Sequence, residues 1–220
     1  MPLLATRGAA SAKGFGLLNN IKDIPTVIGQ PFGGGFYAGK ISTNGSGVAD
    51  YYLIVGPKAS AETNAQWGPV SNTGATSEID GFANSQILNS PTYPAAYFCR
   101  NLSIGGYTDW YLPSIKELGI LYCSFKPYSG SNSTNANTAN AYSVPPRGAY
   151  TNSPTQDPTT TTATDFLLNN SEVLPIADFT YSSTDYASNL CWYTFFASGL
   201  QDTNYKNQNY YVRAVRRIPV

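Results

Sequence analysis

Apolar and polar positions change rhythm several times along the chain, and each change marks an element. From Phe32 to Val55 short apolar runs are punctuated by glycine, and Asn44-Gly45-Ser46-Gly47 supplies a turn, which predicts a β-hairpin. Between Ala83 and Leu102 the positions Ala83, Ile87, Leu88, Ala95, Ala96, Phe98, Cys99 and Leu102 follow a helical pattern. Ser90-Pro91 and Pro94 break it, so two short helices fit better than one. Val212-Arg213-Ala214-Val215-Arg216-Arg217-Ile218 alternates and predicts a closing strand, whose arginines need carboxylates or carbonyls if buried. Helix thus occupies the centre and β-structure the flanks, an α+β arrangement.

The densest information lies in Gly105-Gly106-Tyr107-Thr108-Asp109-Trp110-Tyr111-Leu112-Pro113-Ser114-Ile115-Lys116-Glu117-Leu118. The glycine pair permits a tight turn, Trp110-Tyr111-Leu112 reads as a short aromatic strand, and Pro113 keeps Leu112 extended. Ser114 is a candidate helix N-cap and Glu117 stands three residues on, the spacing of a capping box. Losing Ser114 should weaken the fold, and losing Glu117 should cost less. The Leu118-Gly119-Ile120-Leu121-Tyr122 run supplies the buried face of that helix.

Two segments lack a rhythm of their own. Residues 1–25 carry Phe15, Leu17, Leu18, Ile21 and Ile24 without a period able to bury them. They are either a frayed terminus or an arm that orders on another subunit, and the apolar side chains favour the arm. Lys126 to Asp165 is polar and of low complexity, with Ser129-Gly130-Ser131-Asn132-Ser133-Thr134-Asn135 and Thr159-Thr160-Thr161-Thr162. A loop this long is a linker or a functional surface. Tyr142, Val144, Pro145, Pro146, Arg147 and Tyr150 interrupt its polarity with rigid groups suited to stacking and adaptable hydrogen bonding, so Tyr142, Arg147 and Tyr150 are the leading ligand contacts. Trp67, in the loop Ala65-Gln66-Trp67-Gly68-Pro69, is a lid over the core or an exposed stacking platform.

The same string resembles the G-G-Y-x-D-W-x-L-P-S-x-x-E-L signature of the Lcl C-terminal domain family, a branch of the C-type-lectin-like fold. Its carriers are Gly106, Asp109, Trp110, Pro113, Ser114 and Glu117. Tyr181-Ser182-Ser183-Thr184, Trp192-Tyr193, Gly199 and Tyr211-Val212-Arg213-Ala214-Val215-Arg216 look like that family's closing pattern, which adds Trp192, Arg213 and Arg216. Gly33 to Gly39 followed by Tyr51 to Val55 resembles its opening hairpin, so the likeness spans roughly residues 30–218. It implies a C-type-lectin-like domain over residues 26–220, with short helices, a mostly antiparallel twisted sheet and a long polar insertion at 126–165 where ligands are met.

Composition narrows the chemistry. Charged residues are only 12% of the 220, while Tyr (17), Gly (20) and Pro (15) are abundant, as in a loop-rich surface protein. Thirteen basic residues balance 13 acidic ones, and no basic block marks a nucleic-acid binder. No stretch approaches the ~20 apolar residues that span a bilayer. Met1 to Arg7 is too short in its apolar part for a signal peptide, so a soluble, cytoplasmically made protein is expected. Asn-x-Ser/Thr triplets at Asn44, Asn101, Asn132 and Asn169 are therefore discounted as glycosylation sites. Cys99, Cys123 and Cys191 show no Cys-x-x-Cys spacing, which favours buried free thiols over a Cys99–Cys123 bridge or a zinc site.

Candidate catalytic chemistry is sparse. The chain has no histidine, hence no Ser/Cys triad base and none of the commonest metal ligand. Asp109, Glu117, Asp165, Asp178, Asp185 and Asp202 are scattered; Asp109 is expected to cap a turn or pair with Arg213 or Arg216. Calcium-type triplets are lacking, so neither metal nor cofactor is expected. Formylglycine-generating enzymes share the wider fold and use a late pair of cysteines, but Cys191 stands alone beside Trp192. Trp110 and Trp192 should anchor the core on neighbouring strands.

The resulting expectation is a non-enzymatic bacteriophage virion protein, a tail-fibre, baseplate or capsid-surface component attaching to a host-surface glycan or protein. Leu4 to Gly16 looks like starts seen in tailed-phage structural proteins. Residues 1–25 would contact other virion proteins in a homo-oligomer, a trimer favoured, without nucleic acid or membrane insertion. A secreted bacterial adhesin is the alternative, and a formylglycine-generating-like oxidase comes third.

Overall fold

The computed structural model describes residues 24–153 and 155–220. The proposed assembly arm, including Phe15, Leu17, Leu18 and Ile21, lies outside these residues; Ile24 is exposed and Pro25 buried.

Among the described residues the strands and α-helices run β1 (Pro31–Phe32), β2 (Gly35–Ile41), β3 (Tyr51–Val55), α1 (Lys58–Ala61), β4 (Glu62–Gln66), α2 (Gly81–Ile87), α3 (Pro94–Arg100), α4 (Ile115–Phe125), β5 (Ser143–Val144), β6 (Thr180–Ala187), β7 (Leu190–Phe195), β8 (Leu200–Tyr205), β9 (Asn209–Arg213) and β10 (Val215–Pro219). The hairpin forms as its glycines predict, with β2 and β3 antiparallel across a loop in which Gly45 and Gly47 take positive φ. α2 and α3 are the two short helices on either side of Ser90-Pro91, and Pro94 opens the second at a first-turn position, where its missing N–H is no loss.

The strands form two sheets, ordered β1-β2-β3-β10 with β5 added to β2, and β4-β9-β6-β7-β8. All pairings are antiparallel except β6 with β9, which meet in parallel at Thr180 and Tyr211. The architecture is α+β with mostly antiparallel sheets. One core gathers Trp67, Trp110, Tyr181 and Val212 with Leu88 just after α2 and Ala95, Ala96 and Cys99 of α3. The other packs Leu118, Leu121, Tyr122 and Phe125 of α4 against Ala38, Ile41, Leu53 and Val55 of the hairpin.

Three expectations change here. The closing strand is two strands, because the chain leaves one sheet and enters the other at Ala214. Its N–H donates to the Ala61 carbonyl at 2.9 Å, and its carbonyl accepts from Gly56 N–H at 2.9 Å. Trp110-Tyr111-Leu112 is extended but pairs only through Tyr111 with Val215, since Pro113 removes a donor and the chain turns into α4. Trp192 does not anchor the core. Strand parity sends its neighbours Cys191 and Tyr193 inward and leaves Trp192 half-buried, edge-on to exposed Tyr186 at 5.5 Å. Trp110 is fully buried, its indole N–H donating to the Tyr107 carbonyl at 3.1 Å.

Candidate functional site

The capping box at the head of α4 organises the signature. Ser114 Oγ accepts from Glu117 N–H at 3.4 Å, and Glu117 Oε2 accepts from Ser114 N–H at 2.8 Å. Glu117, expected to matter less than Ser114, is also fully buried and accepts from Gly81 N–H at 3.2 Å, Tyr111 Oη at 2.5 Å and Arg217 Nε at 2.8 Å. A methyl group on Gly81 would lie 2.5 Å from Glu117 Oε2, so only glycine lets the two segments meet there.

The other signature residues complete this frame. Gly105 and Gly106 take φ of +61° and +82° between the bridged residues Ile104 and Tyr107, the turn their pairing implied. Asp109 grips Arg216 with both oxygens, at 2.7 and 2.9 Å, and Tyr107 stacks on the guanidinium at 3.7 Å. Pro113 offers its carbonyl to Ser183 N–H at 2.7 Å. Fully buried Arg213 donates to Gly56 O at 2.7 Å, Glu62 at 2.8 Å and Glu172 at 2.6 Å. Lys206 meets Asp185 at 2.6 Å beneath Trp67.

The tract 126–165 is neither a floppy linker nor a projecting tip, because its polar side chains tie it down onto α4. Asn132 accepts from Tyr122 Oη at 2.8 Å and donates to the carbonyls of Thr151, Ser153 and Pro158 at 3.1, 3.3 and 3.2 Å. Asn140 donates to Lys116 O at 2.8 Å and exchanges backbone bonds with Arg147 at 2.9 Å. Thr161 donates to Ser124 O at 2.7 Å, and β5 extends the edge of β2.

Folded this way, the tract walls a cleft of about 350 Å³. From the tract, Ser143 to Pro145, Arg147 and Thr159 to Thr162 line it. Tyr37, Gly39 and Lys40 of β2 and Ile120, Cys123 and Ser124 of α4 complete the lining with Ile28. Arg147 is half-buried and paired with Asp157, and Lys40 lies 5.6 Å from the Tyr52 ring. The cleft thus offers cations and hydroxyl groups, suited to holding a polar ligand. Its thiol is not a ready nucleophile, since burial pushes the Cys123 pKa up to about 11.

Of the ligand contacts expected from sequence, Arg147 lines this cleft, and Tyr142 is half-buried beside the Asn44–Gly47 turn. Two others are corrected. Tyr150 is 5% exposed, donates to Gly119 O at 3.3 Å and packs on Tyr122 at 5.4 Å, so it is a core residue. Trp67 is 1% exposed with its indole N–H on Ser182 O at 2.8 Å, the lid and not the platform. Lys40 and Thr159 to Thr162 were missed as site residues; a lone strand lysine and a threonine run carry no signal until the fold brings them together.

All three cysteines are free thiols, and Cys99 and Cys123 are not bridged. Among the described residues no group of three or more cysteines, aspartates or glutamates stands close enough to hold a metal. No helix among them is long and apolar enough to cross a membrane.

An α+β domain of two sheets, a boxed central helix and a closing pair of strands held by buried arginines defines the class of this protein. The family model for the Lcl C-terminal domain matches residues 59–216, and the chain belongs to that family. Among curated proteins none matches the chain. The match begins after the hairpin that the sequence likeness also took in, yet β3 pairs along the whole of β10.

Proposed function

We propose that this chain is a non-catalytic recognition module, a bacteriophage virion structural protein of the tail fibre, baseplate or capsid surface that meets a host-surface glycan or protein. Its residues 26–220 are read as a C-type-lectin-like domain, consistent with short helices, mostly antiparallel sheets and a long polar insertion. Residues 1–25 are read as an arm that joins it to other virion proteins in a homo-oligomer, a trimer being favoured. The likeness of Leu4 to Gly16 to phage structural proteins supports the virion setting.

The observation that carries the recognition reading is the cleft between the tract and α4. Lys40, Arg147 and Thr159 to Thr162 line it together, without a histidine or a free carboxylate pair to move a proton. Elsewhere Asp109, Glu117 and Asp185 are each engaged by a cation, which favours structural over acid–base roles.

Labelled protein should bind bacterial cells or their envelope glycans. Changing Lys40, Tyr142 and Arg147 together to Ala should lower that binding at least about tenfold, with the circular dichroism spectrum unchanged. Equal binding by the triple variant sinks the cleft as the contact, and cleavage of the glycan sinks the non-catalytic reading. Mass spectrometry of purified phage particles should find the chain; its recovery only from a bacterial secretome identifies an adhesin instead.

A further inference from the structure

The signature segment and the last strand wall a second pocket, of about 310 Å³, that shares no lining residue with the loop cleft. Apart from Pro219, its apolar lining is aromatic. Tyr51 comes from β3, Phe82 from the first turn of α2, and Tyr111 from the extended segment before α4. Phe82 is 36% exposed and meets Tyr111 edge-on at 5.7 Å, leaving ring surface open to the pocket. Its polar lining is Asp80, Asp109 and Arg217.

These polar groups are held in place before any ligand arrives. Arg217 is locked by Glu117 through Nε and by the Ile79 carbonyl through Nη2, which leaves Nη1 facing Asp80 Oδ1 at 3.5 Å. Asp80 Oδ1 caps α2 through Ala83 N–H at 3.0 Å, and among the described residues its other oxygen accepts no hydrogen bond. Asp109 is held by Arg216 while its side chain stays 45% exposed. A donor and an acceptor therefore stand side by side in a pocket that aromatic rings also line, the pattern that two adjacent hydroxyls of a ring would satisfy.

Charge excludes the alternatives. Asp80, Asp109 and Glu117 are matched by Arg216, Arg217 and Arg100, the last lying 4.9 Å from the Phe82 ring. Counted with these neighbours the charges balance, which suits a ligand without net charge. The volume lies at the small end of ligand pockets, enough for one ring and not for a peptide segment.

We propose that this pocket is a subsite for a neutral pyranose, whose C–H face packs on Phe82 and Tyr51 while two neighbouring hydroxyls bridge Arg217 and Asp80. The biological setting rests on the recognition reading above; the chemistry of the pocket does not.

Saturation-transfer NMR on the full chain tests it, with methyl glycosides of glucose, galactose, mannose and N-acetylglucosamine at millimolar concentration. At least one should receive saturation, concentrated on the C–H protons of one ring face. Phe82→Ala and Asp80→Asn should each weaken it about tenfold, the latter keeping the helix cap because Asn also caps. Val70→Ala, at an exposed position outside both pockets, should leave it unchanged. Transfer to none of the four, or equal affinity in the Phe82 and Asp80 variants, overturns the subsite. The two proposals fail separately. Glycoside binding that survives while the cleft variants still bind cells removes only the cleft, and cleft-dependent cell binding without glycoside binding removes only this subsite.

Discussion

The seam where β9 passes into β10 and the tract from Lys126 to Asp165 both bury polar groups, but they satisfy them in opposite ways. In the seam three arginines within five residues meet carboxylates from far away: Arg213 with Glu62 and Glu172, Arg216 with Asp109, Arg217 with Glu117. In the tract neutral side chains meet backbone carbonyls, with Asn132, Asn140, Ser143 and Thr138 as hubs. The difference follows from what each segment lacks. A strand already has its backbone paired, so its side chains are free to bind charges on other elements. An irregular segment has carbonyls with no ladder partner, and side-chain amides and hydroxyls must supply one. The Asn, Ser and Thr content that resembles disorder by composition is what orders the tract.

Breaking the seam should cost most. Arg213→Met leaves the carboxylates of Glu62 and Glu172, with side chains only 9% and 13% exposed, beside an apolar group and should destabilise by about 3–5 kcal/mol in urea unfolding. Glu117→Ala should fall in the same range, because four donors lose their acceptor. A loss under about 1 kcal/mol in both would mean that water reaches the carboxylates and that the seam is no stronger than the tract.

Asn132→Ala should cost about 1–3 kcal/mol, as Tyr122 and three carbonyls lose their partner. Hydrogen exchange should then rise within 126–165 and stay unchanged in β9 and β10. Uniform loosening would show that the two regions unfold as one unit. Ser114→Ala should cost about 0.5–2 kcal/mol, less than Glu117→Ala, reversing the order expected from the capping box alone.

The smallest effect is alkaline. Burial raises the Cys123 thiol from 9.0 to about 11, so between those pH values the folded chain holds a proton that the unfolded chain has released. Stability should therefore be intact below pH 9 and fall as pH rises, by at most about 1.4 kcal/mol per unit from this group. Thermal melts of the parent and Cys123→Ala at pH 8.5 and 10 isolate it. Equal slopes would place the thiol in water, on the open side of the cleft.

Legibility followed distance along the chain. The capping box, the Gly105-Gly106 turn, the hairpin loop and the break between α2 and α3 are contacts within a few residues, and local propensity suffices to specify them. The pairing of Asp109 with an arginine was legible as a need, while the choice of Arg216 over Arg213 was not. Of the candidate site, Arg147 was visible as an arginine in a rigid, aromatic stretch; Lys40 and the threonine run were not, because nothing in their own neighbourhoods marks them.

Chain order alone thus carries the short-range devices and the family to which they belong. The tertiary structure decided the rest. It split the closing strand at Ala214, because a chain shared by two sheets must change neighbours somewhere. It turned Trp192 outward and Cys191 inward, because strand parity is set by the register of a partner strand and not by the residue itself. It buried Tyr150 against Tyr122 and joined Glu117 to Gly81 and Arg217, 36 and 100 residues away, because burial is a property of whatever the fold lays on top.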